Sequence, residues 1–211
     1  MIQKSPPLFC REKNNFGQVS PFSKWLFSCI ILSKPKQAHQ EGVDFIEDIV
    51  KHNPDSIVVV DEAYIDFGGE SAIPLLDKYE NLLVVQTFSK SRSMAGMRIG
   101  YAFGSKRVIS AIYAVRNSYN SYTMNYPAIL CGAEALKDTA YFKACTDKVI
   151  ATRERVKKEL KDLGFSFPDS KTNFIFATHK SVPATELFQM LREKHIFVRH
   201  FKLPRIDNYL R

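Results

Sequence analysis

The hydrophobic positions of this chain follow helical and strand periods in turn. Residues 43–52, VDFIEDIVKH, place apolar side chains at helical spacing and precede Pro54, so we predict a helix that ends there. Residues 56–62, SIVVVDE, form a continuous β-branched run, which is typical of a strand covered on both faces in an α/β sheet. Two more strands are predicted at 81–89 and 97–104.

The second half of the chain has helical patterns first and a mixed pattern afterwards. Helices are predicted at 105–117, 126–138 and about 140–163, the last closed by Gly164. The tail predicts strand, turn and strand over 165–178, a helix at 183–195 and a strand at 196–201. We therefore predict an α/β fold. Residues 41–140 would form a partial large domain with a mostly parallel sheet, and residues 141–211 a smaller α+β domain.

The first 40 residues differ from the rest in pattern and in charge. They mix prolines, lysines and aromatic residues without a clear period. The net charge of +8 would favour a nucleic-acid partner. However, six basic residues and one acidic residue lie in this segment, so most of the excess charge does too. We therefore expect no nucleic-acid partner, and we treat residues 1–40 as a segment that matches neither domain.

Composition narrows the class of protein. Hydrophobic residues make up 45% of the chain and charged residues 25%, as in ordinary soluble proteins. The apolar run at 25–32 is far shorter than the roughly 20 residues that span a bilayer. The four cysteines show no CxxC spacing and no paired histidines, which argues against a zinc site and favours a reducing compartment. We expect a cytoplasmic protein without a metal ion or a membrane segment.

Candidate chemistry lies where two predicted strands end. Asp61 ends one strand and Lys90 follows the next, and open α/β sheets bind ligands at such ends. Taken alone, Asp61 could cap a helix, and Lys90 is more typical of a solvated lysine. Together with Thr87, Ser89 and Arg98 they form the set that pyridoxal phosphate needs. Its aldehyde needs an amine, its pyridine nitrogen a carboxylate and its phosphate an anion site.

Two stretches resemble a known family. DEAYIDF (61–67) and TFSKSRSMAGMRIGYAFG (87–104) together resemble the fold-type I pyridoxal-phosphate aminotransferases, above all the histidinol-phosphate aminotransferases of histidine biosynthesis. The resemblance extends from about residue 41 to the end of the chain. It implies a homodimer that transfers an amino group between histidinol phosphate and the glutamate/2-oxoglutarate pair.

The resemblance also implies roles for individual residues. Lys90 would bond the cofactor aldehyde and move the proton of the substrate. Asp61 would hold the pyridine proton, and Tyr64 would bond the ring hydroxyl. Thr87, Ser89 and Arg98 would bind the cofactor phosphate. In the segments VRHF and PRIDNYLR, Arg199 and Arg211 would bind the phosphate and carboxylates of the substrates.

The sequence departs from that family at its start. The family has an Asn-Pro-Asn-x-Pro-Thr-Gly stretch where this chain has SKPKQAHQ (33–40). Codons for residues 34–40, read one nucleotide later, permit Asn-Pro-Asn-(Lys/Arg)-Pro-Thr. We therefore expect residues 1–40 to be out of frame or disordered, in a chain truncated at its N-terminus and clipped at its C-terminus; the nucleotide sequence tests this. Two alternatives stay open, a non-catalytic remnant and a related enzyme such as threonine-phosphate decarboxylase.

Overall fold

In the computed structural model of the chain, residues 29–33 and 42–211 are described, and they form two compact units. The first unit comprises the described residues up to Ile65 together with Glu70–Thr139. The second comprises Asp66–Gly69 and Ala140–Arg211. Residues 34–40, on which the hypothesis of a shifted frame rests, lie outside the described residues.

A four-stranded sheet in the order β1-β2-β3-β4 forms the centre of the first unit. Its strands are β1 (Cys29–Ser33), β2 (Ile57–Asp61), β3 (Leu82–Thr87) and β4 (Gly100–Gly104). β2 pairs in parallel with β1 and β3, and β4 pairs antiparallel with β3. The predicted α/β class with a mostly parallel sheet is confirmed.

Strand β1 was not predicted, because it lies in the segment where we expected no regular element. Its sequence, CIILS, contains the β-branched residues that favour an extended backbone. All five of its residues pair in register with β2. The open parallel edge of β2 therefore provides the partner that turns this short apolar run into a strand.

Three helices accompany the sheet in the first unit. They are α1 (Val43–His52), α2 (Lys106–Tyr119) and α3 (Tyr126–Lys137). α1 has the predicted bounds, and it buries Ile46 and Val50 in the same cluster as Val60 and Val84. The side-chain nitrogen of Asn81 lies 3.3, 3.0 and 3.2 Å from the backbone carbonyl oxygens of Val50, Asn53 and Ser56. Asn81 thereby connects the end of α1 to the turn before β2.

The second unit contains two helices and a two-stranded antiparallel sheet. The elements are α4 (Thr139–Asp162), β5 (Phe165–Ser166), β6 (Thr178–His179) and α5 (Ala184–Glu193). Gly164 follows α4 with φ of +87°, a conformation that suits glycine at the end of a helix. No helix among the described residues is both long and apolar enough to cross a membrane.

The strand predicted at 196–201 is wrong. Arg199 and Arg211 exchange two backbone hydrogen bonds of 2.9 Å, and His200 forms only an isolated bridge with Leu210. Leu210 also bridges Ala177, so the pairing is too short to build a ladder. The second strand predicted within 165–178 is likewise reduced, since β6 comprises only two residues.

Candidate active site

The carboxyl ends of β2 and β3 lie at the same edge of the sheet in the first unit. Asp61 ends β2 and is in register with Val85 of β3. Thr87 ends β3 and is in register with Gly100, which begins β4. Because β2 and β3 are parallel, the side chains that follow them meet at one edge, where open α/β sheets bind ligands.

Asp61 presents a half-buried carboxylate at this edge. Its Oδ1 accepts a hydrogen bond of 3.0 Å from the backbone N–H of Ala63, which helps to turn the chain away from the strand. No hydrogen bond to Oδ2 is present among the described residues. One carboxylate oxygen therefore stays available for a donor outside the chain.

Lys90 presents its amine beside Tyr64. The Nζ atom lies 5.5 Å from the centroid of the Tyr64 ring, within the range of a cation–π contact. Lys90 is exposed, and within residues 29–33 and 42–211 its amine makes no ion pair. A lysine that no carboxylate engages can act as a nucleophile once it loses its proton.

The loop after β3 has hydroxyl groups at its start and a guanidinium near its end. Thr87 Oγ1 lies 2.9 Å from Ser89 Oγ and accepts a 3.0 Å hydrogen bond from the Ser89 N–H. It also lies 3.2 Å from the carbonyl oxygen of Ile99, the residue after Arg98. Arg98 is exposed and donates from Nη1 to the carbonyl of Ala95 at 2.9 Å. Such donors suit a phosphate group.

Residues 88–99, here termed the Lys90 loop, carry two strained backbone positions. Ser93 and Arg98 have φ of 55° and 56°, in the left-handed region that non-glycine residues rarely adopt. The loop closes on itself through a 3.1 Å hydrogen bond from the N–H of Phe88 to the carbonyl of Ile99. Strain of this kind persists only where the surroundings impose it, and it is concentrated at functional sites.

Glu62 is a buried carboxylate to which the sequence interpretation gave no role. Its side chain is 3% exposed. Oε1 accepts from the N–H of Ala72 at 2.7 Å, and Oε2 accepts from the hydroxyl of Ser71 and the amide of Gln86, each at 2.8 Å. Gln86 in turn accepts from the hydroxyl of Tyr101 at 2.8 Å. This network fixes the chain that leaves the end of β2.

In the second unit, the structure brings the two predicted substrate arginines to one aromatic ring. The guanidinium carbons of Arg199 and Arg211 lie 5.2 and 5.8 Å from the centroid of the Phe201 ring. Arg211 also stacks over Phe174 at 4.8 Å. Two cations held beside the same ring form a site that favours an anion. Arg211 and Asn173 also line an open cavity of about 470 Å³.

A second group missed by the sequence interpretation lies on α4. Arg153 is buried and donates from Nη1 to the carbonyls of Phe67 and Thr172 at 2.8 and 2.9 Å. Its Nε donates to Glu154 at 2.8 Å, and this bond, followed by one from Lys157, holds the pKa of Glu154 below its usual value. These contacts join α4 to other segments of the second unit.

No metal-binding group of three or more His, Cys, Asp or Glu side chains occurs in the described ranges.

Comparison with known proteins identifies the family. Residues 41–211 match the family described as aminotransferase class I and II. The chain belongs to this family. A curated relative, histidinol-phosphate aminotransferase 2 of Dechloromonas aromatica, is 55% identical over 169 residues, which cover 80% of this chain and 48% of the relative. The chain spans about half the length of the curated relatives it matches.

Solved structures confirm the fold of the family. Histidinol-phosphate aminotransferase from Sinorhizobium meliloti, solved in complex with pyridoxal-5'-phosphate, has a TM-score of 0.74 at 23% identity, covering 86% of this chain and 51% of that one. L-threonine-O-3-phosphate decarboxylase from Porphyromonas gingivalis has a TM-score of 0.66 at 24% identity, covering 90% and 60%. At these identities the structural similarity establishes the fold alone, so it does not show which of the two substrates this chain would bind.

Proposed function

We propose that the chain provides the cofactor lysine of a pyridoxal-phosphate-dependent aminotransferase, which transfers the amino group of histidinol phosphate to 2-oxoglutarate in histidine biosynthesis. The observation that carries the proposal is the convergence of Asp61, Lys90 and the hydroxyls of Thr87 and Ser89 at one edge of the sheet. The Asp61 oxygen without a hydrogen bond and the Lys90 amine without an ion pair fit the donors and acceptors of this cofactor.

Different side chains of the first unit would bind the cofactor and transfer the substrate proton. When bound, the cofactor supplies an aldehyde and an electron-withdrawing pyridine ring. Lys90 would hold the aldehyde carbon and move the substrate proton as acid and base. Asp61 would keep the pyridine nitrogen protonated, and Tyr64 would bond the ring hydroxyl. Thr87, Ser89 and Arg98 would hold the phosphate.

Arg199 and Arg211 would recognise the anionic groups of the substrates. Their position beside the Phe201 ring supports binding of the phosphate of histidinol phosphate and the carboxylates of glutamate and 2-oxoglutarate. The relative that is 55% identical carries this substrate in its name, which favours it over threonine phosphate. The proposal includes a homodimer in the cytoplasm, as the sequence resemblance implies.

A second candidate, a non-catalytic remnant of such an enzyme, is favoured by one observation. Three aromatic side chains of the first unit are largely exposed, namely Tyr119, Tyr122 and Tyr126 at 79, 93 and 71%. Exposed apolar patches mark surfaces that other polypeptide covers, or proteins that associate. A chain that lacks this cover would bind the cofactor weakly or would aggregate.

Product analysis separates these functions. The chain is incubated with pyridoxal phosphate and histidinol phosphate, glutamate or threonine phosphate, and pyridoxamine phosphate and released CO₂ are quantified. We expect pyridoxamine phosphate with the first two substrates, at a rate at least about 100-fold above that of Lys90→Ala. Release of CO₂ from threonine phosphate would favour the decarboxylase. Bound cofactor that no substrate converts would favour the remnant.

A further inference from the structure

Arg92 lies two residues after Lys90 and reaches out of the Lys90 loop. It is half-buried, and its Nη1 donates a hydrogen bond to the backbone carbonyl of Ala135 on α3. Its guanidinium carbon also lies 5.2 Å from the centroid of the Phe88 ring, which is buried at the start of the loop. The Arg92 side chain therefore connects the loop to α3.

The acceptor of this hydrogen bond is at the C-terminal end of a helix. α3 ends at Lys137, and the N–H of Asp138 bonds the carbonyl of Glu134. Carbonyls beyond that point have no amide of the next turn to bond, so they need other donors. A cation near the end of a helix is also favourable for the helix dipole. Arg92 meets both requirements at Ala135.

The apolar side of the same contact is tightly packed. Phe88 and Ile99, at the two ends of the Lys90 loop, share a buried cluster with Ala128 of α3. Gly132 of α3 approaches so closely that a Cβ there would lie 2.9 Å from Ile99 Cδ1. Met94 and Met97 of the loop also pack against this cluster. Arg92 provides a polar contact to α3 in the part of the loop that carries Lys90.

We propose that Arg92 is a positioning residue, which holds the Lys90 amine at the sheet edge by tying the Lys90 loop to the end of α3. The proposal rests on the proposed function, since it assumes that Lys90 bonds the cofactor. Without the tie, the loop would keep its apolar packing, and the segment from Lys90 to Ser93 would lose order. The predicted phosphate ligands Thr87 and Arg98, which lie outside that segment, would then still bind, while the amine would reach the aldehyde less often.

Three variants and two measurements test this proposal. Arg92→Met keeps the length of the side chain and removes its donors, and Arg92→Lys keeps a charge and a donor. The matched control is Arg116→Met. Among the described residues, the Arg116 side chain hydrogen bonds only to its neighbour Asn117, and it lies over the Tyr113 ring of the same helix. The first measurement is hydrogen–deuterium exchange of backbone amides in the free chain. The second is the rate of borohydride trapping of pyridoxal phosphate at Lys90, compared with the affinity for pyridoxine phosphate, which has no aldehyde.

In Arg92→Met we expect exchange at Ser93, whose N–H bonds the carbonyl of Lys90, to rise at least about tenfold, with unchanged exchange at Val60 and Val84 in the sheet. Trapping at Lys90 should slow about tenfold, whereas affinity for pyridoxine phosphate stays within about twofold. Arg92→Lys should be intermediate, and Arg116→Met should match the unmodified chain.

Unchanged exchange and trapping in Arg92→Met would overturn the proposal. If amide exchange in Arg92→Met also rises at Val60 and Val84, the sheet is disturbed and Arg92→Lys provides the test. Trapping by Arg92→Lys at the rate of the unmodified chain would overturn the proposal. Slower trapping, with exchange in the sheet unchanged, would support it. Absence of trapping at Lys90 in the unmodified chain would instead refute the proposed function. In that case the exchange data alone decide whether Arg92 orders the loop.

Discussion

Glu62→Ala is expected to lower the free energy of unfolding by about 3 kcal/mol, which is more than a hundredfold in the folding equilibrium. The substitution removes the acceptor of three hydrogen bonds from a site that is 3% exposed. The N–H of Ala72, itself fully buried, would be left without a partner. Urea denaturation followed by circular dichroism measures the effect.

Two further substitutions make this test specific. Glu70→Ala removes an exposed carboxylate from the same part of the chain and should change stability by less than about 0.5 kcal/mol. Glu62→Gln should be intermediate, because one of its two oxygens becomes an amide that faces donors. A loss below about 1 kcal/mol for Glu62→Ala would contradict the assigned network.

Arg98→Met is expected to weaken the binding of pyridoxal phosphate by roughly 10- to 100-fold, the cost of one lost charge-assisted hydrogen bond pair to phosphate. Arg98 precedes Ile99, whose carbonyl is 3.2 Å from Thr87 Oγ1, so its backbone lies next to the predicted phosphate site. Equilibrium dialysis against pyridoxal phosphate measures the loss.

Pyridoxal, which has no phosphate, is the matched ligand for this variant. Its affinity should be the same in Arg98→Met and in the unmodified chain, because methionine meets the same left-handed backbone restriction as arginine at φ of 56°. An equal loss for both ligands would mean that Arg98 acts on the conformation of the loop and not on the phosphate.

Elements with a strong period and local stop signals were predictable from the sequence. α1 has the predicted bounds because its apolar spacing and the following Pro54 are both local. β2 and β3 lie within the strands predicted at 56–62 and 81–89 for the same reason. Strand β1 and the missing strand at 196–201 were not predictable, because pairing depends on a partner distant in sequence.

Some residues of the candidate site could likewise be proposed from the sequence, and others only from the structure. Asp61 and Lys90 were proposed as site residues because they stand at the ends of two predicted strands, and Arg98 because it begins the next apolar run. Their roles remain predictions. Glu62 and Arg153 could not be proposed in this way, since the partners that justify their burial are remote in sequence, such as Gln86 for Glu62. Arg92 lies within the stretch 87–104, yet the contact with Ala135 of α3, which supports the positioning role proposed for it, depends on the fold.

Reductive trapping of the cofactor shows directly whether Lys90 is the lysine that bonds it. The chain is incubated with a small excess of pyridoxal phosphate, reduced with borohydride, digested and mapped by mass spectrometry, with Lys90→Ala as the control. We expect one dominant modified peptide that contains Lys90, and its loss in the control. Label spread over exposed lysines, equal in both proteins, would contradict the assignment of Lys90 as the cofactor lysine.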